Sequence, residues 1–141
     1  MVYALARSGD RTRAHWLLTA LNPINHALDA RSAEIYRVEP YVVAADVYAG
    51  RDKIGRGGWT WYTGSAGWVY RAAVEGLLGI ARHPEGVTLT PGLPDSWSSL
   101  SATLRRENGE PIRIEVRRAG SGLEVTANGD PVGANEVLRF G

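Results

Sequence analysis

The stretch GRGGWTWYTGSAGW, Gly55 to Trp68, mixes five glycines with three of the chain's five tryptophans and one tyrosine. Two kinds of chemistry are written there. Thr63-Gly64-Ser65 stands where a helix is expected to start. The first turn of a helix leaves backbone N–H groups unpaired, and the helix dipole favours an anion beside them. Glycine lets a ligand approach the backbone and two hydroxyls add donors, so the triplet has the make-up of a phosphate or sulfate cradle. The same triplet also serves as an ordinary Thr or Ser cap behind a glycine-rich turn, and spacing alone does not separate the two. Trp59, Trp61, Tyr62 and Trp68 suit stacking on sugar rings, each offering a flat apolar body with one polar handle. Arg51 and Arg56 would supply donors to sugar hydroxyls or to an anion. A ring in this stretch fits a core as well as a ligand, and Trp68, on the expected helix, is read as core.

Other candidates carry less. Glu39 and Asp46 lie seven residues apart, a spacing that would put both on one face of a helix. Paired carboxylates divide acid and base work in glycosidases, but a solvated helix face has the same pattern and is the preferred reading. His15, His26 and His83 share no metal-ligand spacing, so a zinc site is not expected. Arg105-Arg106 and Arg117-Arg118 interleave with Glu107, Glu110 and Glu115, as on a solvated strand face rather than a nucleic-acid stripe. The sequence contains neither a P-loop nor a nucleophile elbow.

The chain that must position these residues has 141 amino acids, 44% of them apolar and 22% charged, with a net charge of +1. That describes one ordinary domain or pieces of two small ones. So small a net charge provides no long-range field for nucleic acid or an anionic membrane. There is no cysteine, which excludes disulfides and thiolate metal sites. Apolar runs such as Val42–Ala45 are too short to span a bilayer. The segment MVYALARSGD lacks the pattern of a signal peptide, so a cytoplasmic location is expected. Met1 leads at once into apolar Val2, Tyr3, Leu5 and Ala6 without a cap, as if the chain opened inside a helix belonging to something larger.

Patterns before residue 84 are helical. VYALARSG reads as a helix stopped by Gly9, and Asp10 as the cap of a second helix running to Leu21. There Ala14, Leu17, Leu18 and Leu21 recur at helical spacing, and Pro23 ends the run. Residues 40–49, PYVVAADVYA, fit a strand or a short helix; the alanines and the leading proline favour the helix. Ser65–Ile80 is the clearest helix, with a stripe of Ala66, Val69, Ala73, Leu77 and Ile80. After Pro84 the period becomes two. VTLT, LSATLRRE, IRIEVRR, LEVTANGD and EVLRF read as antiparallel strands, with Asn128-Gly129 as a tight turn. Helices followed by strands give an α+β chain.

Three blocks, VEPYVVAADVYAG, GRGGWTWYTGSAGWVYRAAVEGLLGI and GVTLTPGLPDSW, resemble in the same order the C-terminal end of the glycoside hydrolase family 94 phosphorylases, formerly glycosyltransferase family 36. Within that family they resemble above all the C-terminal region of cyclic β-1,2-glucan synthases. The cellobiose and chitobiose phosphorylases share the plan more distantly. The resemblance covers nearly the whole chain, most firmly residues 22–104. It implies that residues 1–83 are the last helices of an (α/α)6 catalytic barrel and residues 84–141 a small antiparallel β-sandwich-like domain.

The resemblance also implies a reaction, an inverting phosphorolysis of a β-glucosidic bond. An aspartic acid protonates the leaving oxygen while inorganic phosphate attacks the anomeric carbon from the opposite face. Phosphate would be the co-substrate, with no nucleotide cofactor or metal. Matched to the family's Thr-Gly pair, Thr63 and Gly64 become phosphate ligands. Trp59, Trp61, Arg56, Asp46 and Glu39 fall in or near blocks that border the sugar site. No residue here matches the family's catalytic aspartate or its phosphate histidine, and His15 and His26 do not replace the latter. The expected partners are a β-linked glucan or oligosaccharide and phosphate, without nucleic acid or membrane insertion, and with self-association through an open barrel face. A parent of the cyclic glucan synthase kind would be membrane-associated. The alternative is a non-catalytic carbohydrate-binding or interaction module.

Overall fold

The computed structural model describes residues 1–61, 63–106, 109–133 and 135–139. Tyr62, Glu107 and Phe140, which figure above, lie outside these. Helix α1 (Val2–Arg7) ends before the left-handed Gly9, φ +90°. Asp10 caps α2 (Arg11–Leu21), its Oδ1 accepting the Arg13 N–H at 3.0 Å. Pro23 then opens a 3₁₀ turn, Pro23–His26, in which Asn22 Oδ1 accepts the Ile24 N–H at 3.3 Å. A helix that the periodicity did not announce follows, α3 (Ala30–Tyr36). Asp29 caps it, accepting the Ser32 N–H at 2.9 Å and the Ser32 hydroxyl at 2.7 Å.

Residues 40–49 do not form the expected helix. They turn and enter β1 (Asp46–Val47), which pairs antiparallel with β2 (Gly57–Gly58). The partners are distant in sequence: the Ala45 N–H donates to Gly58 O at 3.2 Å, and the Tyr48 N–H to Arg56 O at 2.8 Å. Val42 meanwhile buries against Tyr36 and Val38. Helix propensity at Ala44-Ala45 is a weak local preference beside these contacts. Glu39 and Asp46 therefore share no helix face.

Helix α4 (Thr63–Arg71) is also shorter than its stripe predicts. It widens into a π-helical segment, Ala72–Leu77, and stops at Gly79, whose φ is +72°. A Cβ on Gly79 would run into the Thr90 carbonyl. Thr90 N–H in turn donates to Gly79 O at 2.8 Å. Ile80 thus opens a strand instead of closing a helix.

That strand, β3 (Ile80–His83), pairs antiparallel with β4 (Gly86–Leu89). A second sheet runs in the order β5 (Ser99–Leu104), β6 (Ile112–Ala119), β7 (Gly122–Ala127), β8 (Asp130–Pro131). Asn128 and Gly129, at φ 53° and 94°, make the two-residue turn from β7 to β8, as that dipeptide predicts. The last strand, β9 (Val137–Arg139), returns to the free edge of β4. Ile80, Val87 and Leu89 from the first sheet share one buried cluster with Ile112, Ile114, Val116 and Val125 from the second. Each such side chain contributes roughly 1.5–3 kcal/mol by leaving water.

The chain divides into two compact units, Met1–His15 with Ala73–Gly141, and Trp16–Ala72. The first holds the large core and both sheets. Among the described residues the second has a smaller hydrophobic cluster of Tyr36, Val38 and Val42, with Ala44 beside them. It leaves Trp16, Leu28, Tyr41, Trp59, Trp61, Trp68 and Tyr70 exposed. Among the described residues no helix is long and apolar enough to cross a membrane.

Candidate functional site

The residues singled out between Glu39 and Trp68 all fall in the second unit. The glycines and aromatics of the Gly55–Trp68 stretch do different jobs. Gly57 and Gly58 are buried in the β1–β2 ribbon. A Cβ on Gly57 would strike Val38, and one on Gly58 would stand 2.6 Å from both Asp46 Oδ1 and the Tyr48 hydroxyl. Two glycines let the ribbon close over these side chains.

The next turn sends its rings outward. Trp59 and Trp61 take left-handed backbone conformations, φ 52° and 66°, and are 63% and 67% exposed. Bulky residues rarely adopt φ above zero. Strain of this kind, of order 1–3 kcal/mol per residue, concentrates where a side chain must be aimed. The Trp61 indole N–H donates to Glu39 Oε1 at 3.4 Å, and the Tyr41 ring stands edge-on to Trp61 at 6.1 Å. Glu39, Tyr41 and Trp61 therefore form one exposed aromatic–carboxylate group, and Tyr41 is the member that sequence reasoning missed. Its place next to Pro40 after Glu39 was the only available signal.

Helix α4 begins at Thr63, as the cradle requires, and has no acidic residue in its first turn. Among the described residues, and apart from chain neighbours and the helix's own backbone, no atom lies within 4 Å of where a Cβ on Gly64 or Gly67 would stand. Glycine inside a helix costs roughly 1 kcal/mol relative to alanine. Packing does not explain either of them, and both keep the outer surface of the first turns bare.

Asp46 lies elsewhere. It lines a mainly apolar cavity of about 450 Å³ with His26, Tyr36, Ser65 and Trp68. Burial raises the Tyr36 phenol above its ordinary pKa. His26 is engaged structurally, its Nε2 at 2.7 Å from Ala20 O and its ring 4.8 Å from that of Tyr36. Trp68, expected in the core, is 66% exposed with the Arg71 guanidinium 5.3 Å from its ring centre. The helix is short and the second unit small, so that face of α4 meets little protein. Arg56 joins Arg51 at a separate cavity and makes no hydrogen bond or ion pair to Glu39 or Asp46. The structure thus joins Trp61 with Glu39, and Asp46 with the first turns of α4, but does not gather all five sugar candidates around one point. Among the described residues no three His, Asp or Glu side chains are placed to hold a metal.

The family model described as the glycosyl hydrolase 94 superfamily, catalytic domain, matches residues 1–79. The chain is 51% identical over 118 residues to the cyclic beta-(1,2)-glucan synthase NdvB of Rhizobium meliloti, covering 84% of this chain and 4% of that protein. It is 42% identical over 79 residues to the cellobionic acid phosphorylase of Neurospora crassa, 55% of this chain and 10% of the relative. With the N,N'-diacetylchitobiose phosphorylase of Vibrio proteolyticus the identity is 29% over 135 residues, 92% of this chain and 16% of the relative. The chain therefore spans only a small part of the length of each of these proteins.

Proposed function

The chain belongs to the glycosyl hydrolase 94 superfamily, and from that premise we propose that it supplies part of the phosphate and sugar site of a β-glucan phosphorylase or cyclic β-1,2-glucan synthase. In this reading residues 1–83 are the last helices of an (α/α)6 barrel, and residues 84–141 its accompanying β domain. The start of α4 holds inorganic phosphate. Its glycines admit the anion to the backbone N–H groups of Thr63 and Gly64, where the helix dipole helps to fix it. Trp59 and Trp61 present apolar faces to the glucan, and Glu39, Asp46 and Arg56 bind its hydroxyls.

The reaction is an inverting transfer. A phosphate oxygen forms a bond to the anomeric carbon as the bond to the leaving sugar oxygen breaks on the opposite face. A carboxylic acid contributed from outside this chain delivers the proton to that leaving oxygen. Here the nucleophile is phosphate rather than a base-activated water. What these residues contribute is position and fixed dipoles aimed at the attacking anion. The reaction so written uses no nucleotide or metal, and its compartment is the cytoplasm. The apolar residues that the second unit exposes are where further protein, including a second copy, would pack.

The single observation carrying this reading is the bare, acid-free start of α4 directly after two exposed left-handed tryptophans. A titration tests it. Tryptophan fluorescence of the chain, with phosphate present, is expected to be quenched saturably by β-1,2-linked glucan oligosaccharides. Trp61→Ala is expected to abolish the quench, and a flat titration of the folded parent chain sinks the reading. Glucose 1-phosphate release from the same mixture is expected to be absent, because the acid that protonates the leaving oxygen is not among these residues. Saturable binding without turnover fits both a partial site and a non-catalytic carbohydrate-binding module, whereas turnover by the 141 residues alone excludes both. The exposed tryptophans are what favour the module.

A further inference from the structure

A second cluster of charge has no part in that reading apart from Arg56. Arg37, Arg51, Lys53 and Arg56 line a cavity of about 430 Å³ within the second unit. Only two carboxylates, Glu34 and Asp52, share its wall, leaving a net charge of two positive. Among the described residues no carboxylate stands within ion-pair distance of any of these four cations. A solvated charged face usually balances its signs; here four cations face two carboxylates around one hollow.

The backbone that carries the cations is braced. Arg37 sits at the C-terminal end of α3 in a left-handed conformation, φ 55°, and its Nε donates to Glu34 O at 2.9 Å. The loop carrying the other three is closed by its own backbone. Tyr48 N–H donates to Arg56 O at 2.8 Å, Gly55 N–H to Tyr48 O at 2.9 Å and Lys53 N–H to Gly50 O at 2.9 Å. Gly55, at φ +83°, lets the loop turn close against Ile35, whose Cγ2 would lie 3.1 Å from an added Cβ. The Lys53 ammonium lies 5.8 Å from the centre of the Tyr48 ring. A loop backbone closed in this way lowers the backbone share of the ordering cost that a ligand would otherwise meet.

We propose that this cavity binds a phosphate monoester. Arginine forks match phosphate oxygens in geometry, and the ammonium adds a point charge. A phosphate monoester approaches two negative charges near neutral pH, which balances the wall; a carboxylate would balance half of it. The exposed side chains of Ile35 and Ile54 on the same wall would cover the apolar part of the ester. A nucleic-acid strand is a poor fit, since the cavity is small and the whole chain carries a net charge of only +1. The site shares neither Thr63 nor Gly64 with the cradle at α4, and the proposal stands independently of the family reading.

Calorimetric titration of the 141-residue chain with phenyl phosphate tests it. Saturable binding is expected, weakened about tenfold or more in Arg51→Ala/Lys53→Ala, as the loss of two charge-assisted contacts implies. Glu34→Gln, which keeps every cation and removes one repelling charge, is expected to tighten binding, so the test does not depend on the double variant folding. Phenol at the same concentration is expected to give no saturable heat. Absence of saturable binding to the folded chain overturns the proposal. So does binding that ignores both sets of substitutions, or binding that is lost in Thr63→Val and retained in Arg51→Ala/Lys53→Ala.

Discussion

The Arg11 side chain occupies the space that a side chain at position 92 would need: a Cβ on Gly92 would lie 2.5 Å from Arg11 Nε. From there the guanidinium reaches three backbone carbonyls. Nη1 donates to Gly76 O and, at 2.7 Å, to Leu77 O, while Nη2 donates to Thr90 O at 2.8 Å. Partial burial lowers the Arg11 pKa from its ordinary value, but an arginine stays charged throughout any useful pH range. Carbonyls left over where the π-helical segment ends are thereby satisfied from a residue more than sixty positions away in the chain.

Removing that guanidinium, or displacing it, is expected to destabilise the first unit. Arg11→Met keeps the stem but strands the carbonyls of Gly76, Leu77 and Thr90, at about 1.5–3 kcal/mol. Gly92→Ala is expected to cost about 1–3 kcal/mol by forcing the side chain off its partners. Because the two changes act on one interaction, the double variant should lose less than the sum. Urea melts of the four proteins read this directly, and strict additivity would refute the coupling.

Gly58→Ala tests the ribbon that presents the tryptophans. The added methyl meets the Asp46 carboxylate and the Tyr48 hydroxyl, both 2.6 Å away. Both atoms are ends of side chains, which must swing away from the ribbon to admit it. A loss of about 1–3 kcal/mol is expected, together with altered near-UV circular dichroism from Trp59 and Trp61. An unchanged spectrum and melt would show that the ribbon does not set the two rings.

At Gly64 stability and binding are expected to move in opposite directions. The position is helical and open, so Gly64→Ala should stabilise the chain by about 0.5 kcal/mol. It should also weaken the stabilisation that inorganic phosphate confers, because a methyl then stands where the anion approaches. The comparison belongs in the Arg51→Ala/Lys53→Ala background, where the cationic cavity does not contribute. Thermal melts with and without phosphate measure both quantities. Equal phosphate shifts in the two proteins would remove Gly64 from the anion's path.

The sequence was readable where structure is local. Alternation at Ile112, Ile114 and Val116 marked β6, and Asn128-Gly129 marked a turn whose φ values bear the marking out. It was misleading where distant partners decide. Tyr41 to Tyr48 contains helix-forming alanines, yet the N–H groups of Ala45 and Tyr48 donate to Arg56, Gly58 and Trp59, which no short window around residue 45 contains. The stripe ending at Ile80 was sound as a list of apolar positions: Leu77 and Ile80 are buried. The break at Gly79 redirected the last of them into a sheet. Helix α3 was missed because seven residues give too short a period, although Asp29 and Ser32 carry a capping signature. At the site, the mixture of glycine and tryptophan was visible, but the pairing of Trp61 with Glu39 and the gathering of Arg37 with Arg51 depend on left-handed backbone at Trp61 and Arg37. No local propensity rule assigns that conformation to such residues.

The capping pair of α3 also makes an acid-sensitive contact. The Ser32 N–H and hydroxyl hold the Asp29 carboxyl below its ordinary pKa. A carboxylate with a lower pKa in the folded state binds fewer protons there than in the unfolded chain, so folding gains from it above the unfolded value. That gain is expected to disappear as pH falls through the ordinary carboxylate range and then through the lower folded value. Asp29→Asn retains a capping oxygen but does not titrate. Its melting temperature should therefore fall less steeply on acidification than the parent's, while the two differ little in slope near neutral pH. Parallel acid limbs in the two proteins would show that Asp29 caps α3 without coupling it to protons.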